Sequence, residues 1–279
     1  MNKLVSIILP TYNGEEFLKI AIDSCLKQSY KNIELIIVND CSTDTSELIV
    51  KSYNDNRITY IKNDINQKLP RSLNIGFSHA KGDYYTWTSD DNYYDTEAIQ
   101  KMVTELELNN ADIVYAPYHT IDGVGEVTGF RSVGARKDIL LDNVVKACFL
   151  YKKKVQLKLK GYNPNLFLVE DYDFWIRAAY LDFKFLPLDD ELYFYRFHEN
   201  SLTEKRRIEI SRALYFLLID YEVKFKESNR NQYLKGEFYL KLVKLGQLNK
   251  ESVLDYYKKA IMKNPLLIFS KTTLKFLFT

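Results

Sequence analysis

Asp90 and Asp91 stand side by side just after an apolar, aromatic run, Tyr84-Tyr85-Thr86-Trp87-Thr88. Two adjacent carboxylates repel each other unless a cation or a proton compensates them. Their oxygens are hard ligands that suit Mg²⁺ or Mn²⁺. A solvated turn is the alternative, because Asp and Asn are common turn residues. A second acidic word, Glu170-Asp171-Tyr172-Asp173, opens a helical pattern. Acids are favoured there by the helix dipole. An ionised carboxylate at that place can also act as a general base. Asp40 follows another apolar run, where it can cap a helix or accept a hydrogen bond from a base imide or a ribose hydroxyl. Tyr12 can pack in a core or offer its ring face to a flat base. His198 is one of 3 histidines and ends a strand-like alternation. It can be structural, complete a metal shell or touch a phosphate. Arg196 beside it can match phosphate geometry.

The elements that must position these residues follow from periodicity. Residues 4–9 are a continuous apolar run stopped by Pro10, which reads as a buried strand. Phe17, Leu18, Ala21, Ile22, Cys25 and Leu26 recur at helical spacing. Residues 33–38 form a second buried strand, and Ser42-Thr43-Asp44 offers caps for a helix running to Tyr53. A short strand at 58–61, a helix at 69–80 with Pro70 in its first turn, and a strand at 84–88 come next. A helix around Ile99, Met102, Val103 and Leu106 and a strand at 113–116 continue the alternation. The pattern predicts an α/β fold: an open, mostly parallel sheet with helices on both faces. Right-handed crossovers put the strand ends on one edge. Pro10-Thr11-Tyr12-Asn13, Asn39-Asp40 and Ser89-Asp90-Asp91 should therefore meet in one cleft.

Residues 122–160 are less regular. Gly123, Gly125, Gly129 and Gly134 suggest mobile loops, and Lys152-Lys153-Lys154 reads as a solvated loop, with contact to phosphates or anionic lipid as the alternative. A helix from Glu170 to Leu181 and strands at 183–186 and 192–197 follow. Beyond Glu204 only helices are expected. This gives a catalytic domain over 1–204 and a C-terminal helical region over 205–279.

The net charge of +2 carries no nucleic-acid footprint. The 3 cysteines form no metal spacing and no disulfide framework, which fits a reducing cytoplasm. The apolar stretch before Pro10 is too short for a signal segment, and no run reaches membrane-span length. No Gly-x-Gly-x-x-Gly follows the first strand and no Walker-type loop occurs, which counts against dinucleotide and phosphate-loop folds.

Taken in order, several words resemble the bacterial family-2 glycosyltransferases. They are Ser6-Ile7-Ile8-Leu9-Pro10-Thr11-Tyr12-Asn13, Val38-Asn39-Asp40-Cys41-Ser42-Thr43-Asp44, Ala80-Lys81-Gly82-Asp83-Tyr84 and Thr88-Ser89-Asp90-Asp91. Lys160-Gly161-Tyr162, Glu170-Asp171-Tyr172-Asp173-Phe174-Trp175-Ile176-Arg177 and Tyr195-Arg196-Phe197-His198 continue the series. The resemblance implies an A-type nucleotide-diphospho-sugar transferase fold and an inverting transfer. The donor would be a nucleotide sugar, most often of UDP, and the acceptor a saccharide or lipid-linked saccharide of a surface polysaccharide. It implies a hexosyl- or N-acetylhexosaminyltransferase. Pro10, Thr11, Tyr12, Asp40 and Arg71 would line the nucleoside site. Thr88, Asp90 and His198 would face the donor. Asp90, Asp91 and His198 would bind divalent Mn²⁺ or Mg²⁺, and Asp171 would be the catalytic base. Many members carry Asp where Thr88 stands. A sugar nucleotidyltransferase is disfavoured, because Pro10-Thr11-Tyr12-Asn13-Gly14 replaces its glycine- and arginine-rich loop. A non-catalytic nucleotide-sugar-binding subunit has only Thr88 in its favour. Leu266, Leu267, Ile268, Phe269, Leu274, Phe276, Leu277 and Phe278 lie among Lys263, Lys271 and Lys275. That pattern is compatible with an ordinary packed helix, or with peripheral contact at the inner face of the plasma membrane. Self-association is compatible with the sequence.

Overall fold

The computed structural model describes residues 3–228, 232–249, 251 and 253–270. The expected apolar and basic positions from Lys271 to Phe278 lie outside them. β1 (Val5–Thr11) is followed by α1 (Leu18–Leu26), β2 (Ile33–Asn39), α2 (Ser46–Lys51), β3 (Ile58–Lys62), α3 (Leu69–His79) and β4 (Tyr84–Trp87). Then come β5 (Tyr93–Tyr94), α4 (Ala98–Leu108), β6 (Ile113–Ala116), β7 (Tyr118–Ile121), β8 (Val127–Arg131), β9 (Cys148–Lys152), α5 (Lys153–Leu159), α6 (Glu170–Tyr180), β10 (Phe185–Pro187) and β11 (Tyr193–Arg196). Helices α7 (Leu202–Lys205), α8 (Arg207–Ser228), α9 (Gln232–Leu248) and α10 (Leu254–Lys263) complete the described chain, with a 3₁₀ turn at Pro265–Phe269.

The main sheet has seven strands in the order β10-β6-β9-β4-β1-β2-β3. β3, β2, β1 and β4 run parallel, as do β6 and β10. β9 is antiparallel to both of its neighbours. β1 is buried at every position and β2 at all but one, as expected for strands covered on both faces. The expected open, mostly parallel α/β sheet is therefore the observed one. A smaller mixed sheet, β5-β11-β7-β8, is built from strands interleaved with those of the main sheet along the chain.

The region 122–160 differs from its loop reading. It contains β8, β9 and α5. Nor is the lysine triplet a solvated loop, because Lys152 closes β9 and Lys153 and Lys154 open α5. Lys154 pairs with Asp112 at 2.5 Å. β9 carries Phe149 and Tyr151 into a ring cluster with Phe174 and Trp175 of α6, at centroid distances of 4.8–5.8 Å. This cluster anchors α6 against the sheet.

The chain divides into two compact units, Met1–Arg136 with Val144–Ser201, and Lys137–Asn143 with Leu202–Thr279. The second unit is built on α7 to α10. Lys241 of α9 donates to the Leu141 carbonyl at 2.7 Å. No helix among the described residues is long and apolar enough to cross a membrane.

In the first unit, α3 presses on the sheet at Gly76, where a Cβ would lie 2.4 Å from Ile8 Cγ2 and 3.2 Å from Val38 Cγ2. Alanine has the better helix propensity, by about 1 kcal/mol, yet overpacking costs ~1–3 kcal/mol. Gly76→Ala should therefore lower the urea midpoint of unfolding. A midpoint at or above the parent's would show that the helix can lift without loss.

Candidate active site

The loop that follows β1 is locked to the loop that follows β2. Asn13 N donates to Ser42 Oγ and Glu15 N to Asp44 Oδ2, each at 3.0 Å. Thr45 donates through N and Oγ1 to Glu15, at 2.9 and 2.6 Å. Asp44 also accepts from Ser46 N at 3.0 Å, but Ser42 serves the neighbouring loop rather than capping α2. The result is a rigid rim at the carboxyl ends of β1 and β2.

Asp90 is tied into this rim. Thr11 Oγ1 donates to its Oδ2 at 2.6 Å and Tyr12 N at 3.3 Å. A Cβ on Gly14 would sit 2.2 Å from that same oxygen, so only glycine admits the contact. Burial, and then the charge of Asp91, push the Asp90 carboxyl up to about 7. Asp91 meets His198 Nε2 through Oδ2 at 3.1 Å, while its Oδ1 is buried without a partner. The His198 ring stands edge-on to Phe17 at 5.1 Å.

Arg196 braces the turn from beneath. Its Nε donates to the Asp91 carbonyl at 3.1 Å, and Nη1 to the carbonyls of Asp122 and Gly123 at 2.9 and 3.1 Å. Its guanidinium lies 4.3 Å from the Phe17 ring centroid. This is a structural clamp, not the phosphate-facing arginine that its sequence position suggests. Thr88 is fully buried, and its hydroxyl shares a 2.6 Å bond with the Tyr193 hydroxyl.

On the nucleoside side, Pro10 and Thr11 are buried at the end of β1 and the Tyr12 ring is 53% exposed. Asp40 is buried, and its carboxylate is well occupied. Oδ1 accepts from Asn63 Nδ2 at 2.8 Å and Gln67 N at 2.7 Å, and Oδ2 from Lys68 N at 2.9 Å. Asp40 thus shapes the 63–68 loop. Arg71, in the first turn of α3, is exposed and has no polar partner among the described residues.

Asp171 sits in the first turn of α6 and accepts from Tyr172 N at 2.7 Å. Trp87, at the end of β4, donates through Nε1 to the Tyr162 hydroxyl at 2.9 Å. Tyr162 in turn stacks on Phe174 of α6, with centroids 4.6 Å apart. Burial, together with the charges of Asp171 and Glu170, pushes the Tyr162 hydroxyl up. The first turn of α6 and the Asp90–Asp91 turn beyond β4 are therefore linked through Trp87 and Tyr162. Glu170 is 4% exposed, with Oε2 unpartnered. Burial and then Asp171 push its carboxyl up to about 8. The dipole reading of Glu170 misses this enclosure. Gly14, Phe17, Asn63, Tyr162 and Tyr193 are also absent from the sequence-derived site. Gly14 carries a local signal, a glycine close behind a strand end, and Tyr162 stands in the word Lys160-Gly161-Tyr162.

No group of three or more His, Cys, Asp or Glu side chains among the described residues forms a ready metal cluster. The expected trio Asp90, Asp91 and His198 is linked only pairwise. The acidic pair nonetheless suits a divalent cation. Asp91 Oδ1 is a buried, unpartnered hard ligand, and burial together with the Asp91 charge raises the Asp90 carboxyl, a cost that a cation would relieve.

The family model described as glycosyl transferase family 2 matches residues 6–166. An uncharacterized glycosyltransferase of Rickettsia typhi is 38% identical over 186 residues, which is 62% of this chain and 58% of that protein. A solved structure of Staphylococcus aureus TarS in complex with UDP-GlcNAc superposes with a TM-score of 0.66 at 15% identity, covering 98% of this chain and 91% of that one. The mannosyltransferase PcManGT from Pyrobaculum calidifontis, in complex with GDP-Man and Mn²⁺, gives a TM-score of 0.65 at 15% identity, covering 97% and 82%. These two likenesses concern the fold.

The raised Asp90 carboxyl has a consequence for stability. An unfolded Asp releases its proton near pH 3.9, whereas the folded one keeps it up to about 7. That proton stabilises the fold fully below about pH 4, and its contribution is lost as pH climbs through 7. In buffer free of divalent ions, Asp90→Asn should share the parent's thermal midpoint near pH 4. It should exceed that midpoint by a growing margin up to pH 7. A pH-independent offset would place Asp90 in an ordinary solvated setting.

Proposed function

The chain belongs to glycosyltransferase family 2, and from that premise we propose that it transfers a sugar from a nucleoside-diphosphate donor to an acceptor hydroxyl with inversion. The donor is a UDP-sugar carrying a hexosyl or N-acetylhexosaminyl group. The acceptor is a saccharide or lipid-linked saccharide of a surface polysaccharide, and the reaction takes place on the cytoplasmic side. One observation carries this reading above the others: an acidic pair with a buried, unpartnered oxygen at the end of β4, linked through Trp87 and Tyr162 to the helix that presents Asp171.

In the proposed mechanism, Tyr12 offers its exposed ring to the base. Asp40 acts through the 63–68 loop, because chain donors already occupy both of its oxygens. Arg71 brings an unpaired guanidinium to the same rim. Thr88 supports the acidic turn from behind through Tyr193, rather than touching the ribose. Asp90 and Asp91 would hold Mn²⁺ or Mg²⁺, which when bound supplies neutralisation of charge on the leaving diphosphate. His198 fixes Asp91 by one oxygen and leaves the other for that ion. Asp171 takes the proton of the acceptor hydroxyl as its oxygen attacks the anomeric carbon, on the side away from the leaving group. A single displacement of this kind inverts the centre, whereas retention requires a second, covalent step.

General-base removal costs about 10²–10⁴-fold in turnover. Asp171→Asn should therefore lose transfer by that order, while the thermal shift produced by UDP with Mn²⁺ stays close to the parent's. Near-normal turnover would remove Asp171 from the role of base. Release of pyrophosphate in place of nucleoside diphosphate would indicate nucleotidyl transfer instead.

A further inference from the structure

The second unit has one element with an unusual outer face. In α10, Leu254, Lys258 and Met262 recur at every fourth position and are exposed, Leu254 to 50% and Met262 to 72%. Four residues apart on a helix means one face. The 3₁₀ turn that follows extends the apolar surface with Leu266 at 75% and Ile268 at 41% exposure, and Lys263 lies exposed between them. The opposite side is closed. Val253, Ala260, Asn264 and Leu267 are buried, and a Cβ on Gly236 of α9 would lie 2.7 Å from Asn264 Cβ. That tight seat leaves α10 little freedom to turn its apolar stripe inward.

The geometry points to a docking surface on α10 for an anionic lipid bilayer. Charge and shape both select this occupant. Long apolar side chains alternate with lysines, Asp255 being the acid on the helix, and a monolayer can bury the former while its headgroups pair with the latter. The chain continues in the same style, with Lys271, Leu274, Lys275, Phe276, Leu277 and Phe278. A second copy of the chain would bring the same lysines together and repel itself. The inference does not depend on the transferase reading, although a lipid-linked acceptor would make such a surface useful.

The test is co-sedimentation of the full chain with phosphatidylcholine vesicles and with vesicles containing one-third phosphatidylglycerol. The parent should bind the anionic vesicles at least about fivefold more strongly, since each lysine near such a surface contributes ~1 kcal/mol. Lys258→Glu with Lys263→Glu should remove that preference. Met262→Asp with Leu266→Asp should lower binding to both vesicle types. Equal partition of parent and variants would overturn the assignment. So would a concentration-dependent dimer abolished by the same substitutions, which would make the face a self-association surface. Circular dichroism and the urea midpoint of each variant confirm that it remains folded, and its UDP-induced thermal shift reports on the first unit separately.

Discussion

Two carboxylates in adjacent positions, partly removed from water, repel each other, and the rim of the sheet is organised around that repulsion. Thr11 and the Tyr12 amide hold Asp90 by one oxygen, and His198 holds Asp91 by one oxygen. Neither set of contacts offsets burial and the neighbouring charge, so the Asp90 carboxyl is pushed up to about 7. On the proposed reading a divalent cation would answer the same need as the proton and compete with it. The site is thus built with a stored electrostatic demand rather than with a finished coordination shell. Gly14 belongs to the same constraint, because a side chain there would displace the Asp90 oxygen that Thr11 fixes.

The central parallel strands were legible because β1, β2 and β4 are almost wholly buried. Residues 4–9, 33–38 and 84–88 read as apolar runs, and each stops where a polar word begins. Those stops line the candidate site, so the strand ends and the proposed chemistry are read from the same places. The region 122–160 was not legible, for physical reasons. β9 lies between β4 and β6, antiparallel to both, so what stabilises it is distant in sequence. β8 is exposed along most of its length and shows no alternation to detect. β5 has two residues and exists only through its pairing with β11.

Asp40 illustrates the limit for individual residues. Its type and position at a strand end suggest a direct ligand for a base. The donors that occupy it come from residues 63–68, and no local pattern announces them. A carboxylate has about four acceptor sites, and three here belong to the chain. Arg196 repeats the lesson with opposite charge. An arginine beside an acidic turn suggests phosphate, yet backbone carbonyls and the Phe17 ring claim it. In both cases residue type gave the chemistry available, and non-local packing decided where it was used.

The proposed transfer would require Asp171 and the acidic turn to be held at a fixed separation. Here neither is left to a mobile support. The acidic turn hangs on β1 through Thr11 and on the small sheet through Arg196, whose amide also donates to Asn92 at 2.7 Å. The first turn of α6 is held by Phe174 and Trp175 against β9, and by Tyr162 against Trp87 of β4. β4 is thus the common member: it leads into the acids at its end and contacts the anchor of Asp171 through its last side chain. A strand of four residues can do this because β1 on one side and β9 on the other fix its register. The rings of Phe149, Tyr151, Tyr162, Phe174 and Trp175 are the material of that linkage.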